Sequence, residues 1–111
     1  GLLATLHPEI VLHQPESLPY GGLWRGREAF GEWLDAFVLA WTDITPTDPV
    51  FHVCGTDTLV STGRWRASGR STGAQIVMPM CQLIRFSNDL PIEWRNFAWD
   101  TARMLDALHS S

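Results

Sequence analysis

Residues 12–26 read LHQPESLPYGGLWRG and run straight into an amphipathic stretch that begins at Arg27. A short apolar strand ends in the polar pair His13-Gln14. A loop rich in Pro and Gly follows, with Pro19 and Gly21-Gly22 as turn makers. The loop carries a carboxylate, Glu16, a phenol, Tyr20, and an indole, Trp24. Loops are ordinarily polar, so an aromatic loop between rigid turns has the composition of a pocket rim.

Working outward, Arg27–Trp41 predicts a helix. Phe30, Trp33, Leu34, Phe37, Val38 and Trp41 recur at three- and four-residue spacing and form one apolar stripe. Before the loop, Glu9–Gln14 predicts a strand, and Gly1–Leu6 the tail of a helix stopped near Pro8. After the helix the chain reads as β. Strands are predicted over Pro49–Cys54 (with a start as early as Ile44), Thr58–Ser68, Ala74–Phe86 and Pro91–Trp99, joined by tight polar turns. Thr101–Leu108 predicts a short terminal helix, capped by Asp100 or Thr101. Successive hairpins make an antiparallel meander, and helices on one side of it make an α+β fold.

The chain has 111 residues, which suits a single domain over 1–111. With 45% hydrophobic and 18% charged residues it is an ordinary globular composition. The net charge of −4 and the scattered basic residues exclude an electrostatic footprint for nucleic acid. No apolar run is long enough to span a bilayer, and no secretory signal pattern is read, so neither a membrane span nor a signal is expected. Cys54 and Cys81 lack metal-site spacing and read as buried free thiols, so neither a metal nor a disulfide is expected. These features predict a cytoplasmic protein. Six tryptophans in so short a chain point to a wide core or an aromatic-lined cavity.

The order of elements, with HPEIVLHQPESLPYGGLWRGREAF at 7–30, MCQLIRF at 80–86 and IEWRNFAWDTA at 92–102, resembles the nuclear transport factor 2-like superfamily. Its SnoaL-like branch, similar to polyketide cyclases and ketosteroid isomerases, is the nearest. The resemblance implies a strongly curved antiparallel sheet forming a cone-shaped half-barrel around a cavity closed by helices. It implies a homodimer through the outer sheet face. It also implies a longer first helix than Gly1–His7 can supply.

The resemblance further places Gln14 where ketosteroid isomerases keep a carboxylate base, and Gln82 where they keep a protonated acid. Glutamine cannot exchange a proton at neutral pH, which argues against that mechanism. Limonene epoxide hydrolases resemble the region of Trp94-Arg95, but Asn96 stands where their carboxylate would be. SnoaL-like cyclases suggest a late-strand aspartate, for which Asp100 is the equivalent. That leaves His13, Glu16, Tyr20 and Asp100, of which His13 is the candidate base and Asp100 its orienting or acidic partner. Each has a structural alternative, Asp100 as a helix cap and His13 as a hydrogen-bonded core residue.

Alternation along the strands then builds a pocket. Met78, Met80, Trp94, Phe37 and Trp33 form walls. His13, Gln82 and Asn96 supply hydrogen bonds, with Gln14 in place of His13 if strand one turns the other way. Tyr20 and Trp24 sit at the mouth. The expected ligand is a small apolar molecule, bound without cofactor or metal. Three functions are consistent with this: an isomerase, cyclase or dehydratase working by proton transfer; a binding module for a hydrophobic ligand; or a dimerisation domain whose tryptophans fill the cavity.

Overall fold

The computed structural model describes residues 1–109. A 3-10 turn at Leu2–Thr5 leads into β1 (Val11–Gln14), β2 (Gly22–Arg25), α1 (Gly26–Ala40), β3 (Trp41–Cys54), β4 (Thr58–Gly69), β5 (Gln75–Ser87), β6 (Leu90–Ala98) and α2 (Thr101–His109). The six strands form one sheet in the order β2-β1-β6-β5-β4-β3. The meander β3–β6 is antiparallel throughout, as the hairpin turns predict. The sheet as a whole is mixed, because β1 pairs parallel to β6 with Leu12 opposite Trp94 and His13 opposite Arg95. The expectation of a purely antiparallel sheet is therefore corrected. The fold is α+β, with both helices packed on one face.

Three elements differ from their sequence reading, the first being the expected helix tail at Gly1–Leu6, which holds only the 3-10 turn at Leu2–Thr5. Gly22–Arg25 lies in the predicted loop but forms a four-residue edge strand against β1. β3 is 14 residues long and begins at Trp41, directly after α1. Pro46 and Pro49 fit because β3 is the sheet edge, where a missing N–H costs no ladder bond. Asp43 and Asp48 take positive φ, 56° and 52°, where the register against β4 shifts. These are bulges, and short polar Asp tolerates the left-handed region better than most residues. Gly63 on β4 lies under the second bulge. A Cβ there would press on backbone atoms of Thr47, Asp48 and Pro49 at 3.2 Å.

The core lies between the inner sheet face and the helices. One cluster joins Trp41, Trp65, Ile76 and Met78 with Met104, Ala107 and Leu108 of α2. A second joins Leu6, Ile10 and Leu12 with Phe30 of α1. The helix stripe is narrower than its periodicity implies. Phe30, Trp33 and Phe37 turn inward, whereas Val38 is exposed and Trp41 belongs to β3. Asp100 caps α2, accepting hydrogen bonds from the backbone N–H of Ala102 (3.1 Å) and Arg103 (3.3 Å). Both cysteines are free, and Cys54 is exposed at the end of β3 rather than buried as expected. Among the described residues no helix is long and apolar enough to cross a membrane, and no group of three His, Cys, Asp or Glu is placed to hold a metal.

Candidate functional site

Alternation sends Gln14 of β1, Asn96 and Ala98 of β6, Met80 and Gln82 of β5, and Ser61, Gly63 and Trp65 of β4 to the inner face. There, together with Trp33 and Phe37 of α1, Met104 of α2, and Leu18 and Tyr20 of the β1–β2 loop, they line a cavity of about 250 Å³. The bulged part of β3, through Ile44, Pro46, Thr47 and Pro49, forms another wall. The aromatic wall is cross-braced. Phe37 stacks on Trp33 at 5.3 Å between centroids and meets Tyr20 and Trp65 edge-on at 5.5 and 5.9 Å.

The loop that carries Tyr20 is held by tight turns. The N–H of Gly21 donates to the carbonyl of Leu18 at 2.9 Å, and a Cβ at Gly21 would run into the Pro15 carbonyl. This folding buries Tyr20, which is 3% exposed, so it stands inside the cavity and not at its mouth. Its hydroxyl oxygen accepts from the indole N–H of Trp41 at 2.9 Å. Burial pushes the phenol up to about 12, against the lowering effect of the Trp41 bond. Tyr20 therefore stays protonated at neutral pH and can donate its own hydrogen.

Three polar atoms of the lining are buried without a partner in the protein: Gln14 Nε2, Trp33 Nε1 and Asn96 Oδ1. Buried polar groups are normally paired, and an unpaired one costs free energy. Among the described residues, no carboxylate, imidazole or thiol lines the cavity. Its ionisable members are Tyr20 and Arg64, and the Arg64 guanidinium is paired with Asp48 at 2.6 Å on the exposed side of the sheet.

Most of the predicted pocket residues meet here. Gln14, Tyr20, Trp33, Phe37, Met80, Gln82 and Asn96 all line the cavity. Met78 points the same way but is fully covered in the core. Trp94 packs against Phe30 at 5.9 Å, behind the cavity. Trp24 leaves the mouth and donates its indole N–H to the Tyr20 carbonyl at 3.1 Å. Leu18, Ser61, Trp65 and Met104 were not foreseen. Ser61 was within reach, since it pairs with Gln82 across the β4–β5 hairpin. Leu18 had no periodic signal, because it sits in a loop.

His13 and Asp100 are not among the lining residues. On β1 the side chain of His13 alternates away from that of Gln14, so His13 Nε2 meets Glu93 Oε2 at 3.3 Å on the outer face. Burial raises the Glu93 carboxyl. The hydrogen bond and charge of Arg95, the bond to His13 and the charge of Arg85 outweigh it, and the group ends below its usual range. His13 also borders an open groove of about 300 Å³ with Glu16, Arg95, Phe97 and Thr101. Gln14, Pro15, Asn96 and Ala98 line this groove as well as the cavity and form the wall between them. Asp100 is committed to its backbone cap. Among the described residues no hydrogen bond joins it to His13, so the expected pair is not assembled.

The family described as the SnoaL-like domain matches residues 1–94. No curated protein matches the chain. Among solved structures, a nuclear transport factor 2-like protein of unknown function from Burkholderia pseudomallei superposes with a TM-score of 0.88 at 21% identity, covering 98% of this chain and 83% of that one. TerC co-crystallised with polyporic acid gives 0.85 at 18% identity, covering 98% and 84%. A hypothetical protein with a ketosteroid isomerase-like fold from Catenulispora acidiphila, in complex with trimethylamine, gives 0.71 at 14%, covering 86% and 71%. Identities this low establish the fold alone.

Proposed function

This chain belongs to the SnoaL-like domain family, and we propose that it holds a small, neutral, largely apolar molecule in the cavity between its sheet and its helices. On this reading the sheet wraps the ligand as one side of a cone. The observation that carries it is the lining: a cavity of about 250 Å³, aromatic and aliphatic on most sides, with no ionised group among the described residues free to face it. Small-molecule sites combine such walls with a few convergent polar groups. A charged ligand would be desolvated there without a partner. The test is equilibrium dialysis against 1-naphthol. Saturable binding that is lost in Ala98→Phe, a substitution that narrows the cavity, supports the reading. Absence of binding to the wild-type protein sinks it.

A second reading keeps proton transfer, with His13 as base. Its support is the contact of His13 with Glu93, the pairing by which a carboxylate orients an imidazole. On this reading His13 acts on a molecule in the outer groove, and Asp100 contributes by holding the start of α2 beside it. Deuterium uptake at the α-carbon of 2-tetralone, followed by NMR, decides it. Uptake faster than in buffer and abolished by His13→Ala supports the reading; uptake at the buffer rate removes it.

We also propose a homodimer through the outer sheet face. Leu23 of β2, Val77 of β5 and Phe97 of β6 lie on that face by alternation and are between 42% and 52% exposed. Sedimentation at micromolar concentration should show a dimer that Phe97→Asp converts to monomer. A monomeric wild-type protein contradicts this.

A further inference from the structure

Four uncharged hydrogen-bonding side chains stand in one row across the cavity. Asn96 of β6 pairs with Gln82 of β5, and Gln82 with Ser61 of β4. On the other side, β1 follows β6 in parallel register, with His13 opposite Arg95. The next step of that register brings Gln14 beside Asn96. The row therefore reads Gln14, Asn96, Gln82, Ser61 over four neighbouring strands, at intervals of roughly 4.8 Å. All four residues line the cavity.

Among the described residues, no side-chain hydrogen bond within the protein engages any of the four, and Gln14 Nε2 and Asn96 Oδ1 are buried without a partner. Gln14 as a whole is only 7% exposed. Three of the four are primary amides. Each offers donors and an acceptor, and none takes a charge. A plain hydrocarbon against this row would leave every amide dry and unpaired. A carboxylate would meet amide oxygens as well as amide hydrogens, with no cation among the described lining residues free to balance it. The partner that satisfies the row is neutral and carries a donor and an acceptor side by side on one edge. Its other edge is apolar, to match Phe37, Trp65 and Met104.

We infer that the cavity selects a flat, neutral molecule with adjacent hydrogen-bond donor and acceptor groups on one edge, the chemistry shared by lactams and enolised diketones. The inference rests on the cavity being a ligand site, and it sharpens that reading from apolar to two-sided. The row reads the polar edge, and the aromatic wall takes the rest.

The experiment compares three probes of one bicyclic shape on the wild-type protein by isothermal titration or ligand fluorescence. They are 2-quinolinone, whose lactam N–H and C=O are adjacent, naphthalene, which has neither, and 2-naphthoate, which is anionic. 2-Quinolinone should bind at least tenfold more tightly than either of the others. In Gln14→Leu and Asn96→Leu its advantage over naphthalene should shrink to within about threefold, with naphthalene binding retained. Retained naphthalene binding shows that the variants are folded. Naphthalene or 2-naphthoate binding the wild type as tightly as 2-quinolinone would overturn this inference and leave the cavity as a ligand site. If none of the three binds, the inference fails together with the reading beneath it.

Discussion

The two faces of β1 and β6 use the same backbone for opposed chemistry. On the inner face Gln14 is buried and Asn96 half-buried, both are uncharged, and Gln14 Nε2 and Asn96 Oδ1 are covered without a protein partner. On the outer face His13, Glu93 and Arg95, with Arg85 from β5, are charged or chargeable, half-exposed, and bonded to one another. Alternation places these sets one residue apart. The outer set satisfies itself and leans on water for screening. The inner set leaves hydrogen-bonding capacity that the protein does not use, in a mostly apolar cavity. A protein that needed only stability would put apolar residues there, because an unpaired buried amide is a cost. The inner face is where a ligand would recover that cost.

The contrast can be broken most severely by placing charge on the inner face. Gln14→Glu buries a carboxyl among aromatics, and no cation among the described residues of the lining is free to meet it. Its folded pKa should lie above the unfolded value, so the variant is least affected in acid and loses stability as the pH rises. A shift of two units corresponds to about 3 kcal/mol lost at neutral pH, and little near pH 4. Urea unfolding at the two pH values measures this. Equal loss at both would show that the site admits water or rearranges. Gln14→Leu sharpens the same point, since removing an unpartnered amide should leave stability unchanged or raised.

Next in size is Tyr20→Phe, which strips the Trp41 indole of its acceptor. Trp41 is fully buried, and an orphaned N–H there should cost about 1–3 kcal/mol in denaturant unfolding. Asp100→Ala should cost about 1 kcal/mol as a lost helix cap and leave cavity binding unchanged. A larger effect on binding than on stability would return Asp100 to the site.

The smallest effect belongs to the outer face. Glu93→Gln should cost roughly 0.5 kcal/mol at neutral pH, because its partners are exposed and screened. The folded carboxyl is held below its usual range by Arg95, His13 and Arg85 against the opposing effect of burial. The stabilisation is therefore present above that range and lost as the pH falls through the folded value. The difference between wild type and variant should close in acid and shrink in high salt.

The sequence disclosed what is local and periodic. The spacing of Phe30, Trp33 and Phe37 located α1, and alternation along β5 and β6 put Met80, Gln82 and Asn96 on one face. Asp100 before Thr101 announced the α2 cap. What stayed hidden depends on partners distant in the chain. The parallel pairing of β1 with β6 joins residues 82 apart and leaves no pattern in either strand. β2 is too short, and too close to Gly21-Gly22, to show alternation. β3 was legible only from Pro49, or at earliest Ile44, because its bulges and prolines break the period. For His13 and Gln14, period two allowed only one to face inward. Burial of Leu12 and Gln14 decides for Gln14, and that moved the ionisable candidate out of the cavity.

The most direct measurement is a ¹⁵N-correlated NMR titration with 2-quinolinone that follows side-chain N–H groups. The indole signal of Trp33 and the amide signals of Gln14 and Asn96 should shift together and saturate at one stoichiometric site. The indole of Trp99, 80% exposed just beyond β6, should stay in place. Shifts confined to His13 and Arg95, or a Trp33 indole that does not respond at saturating ligand, would contradict the account.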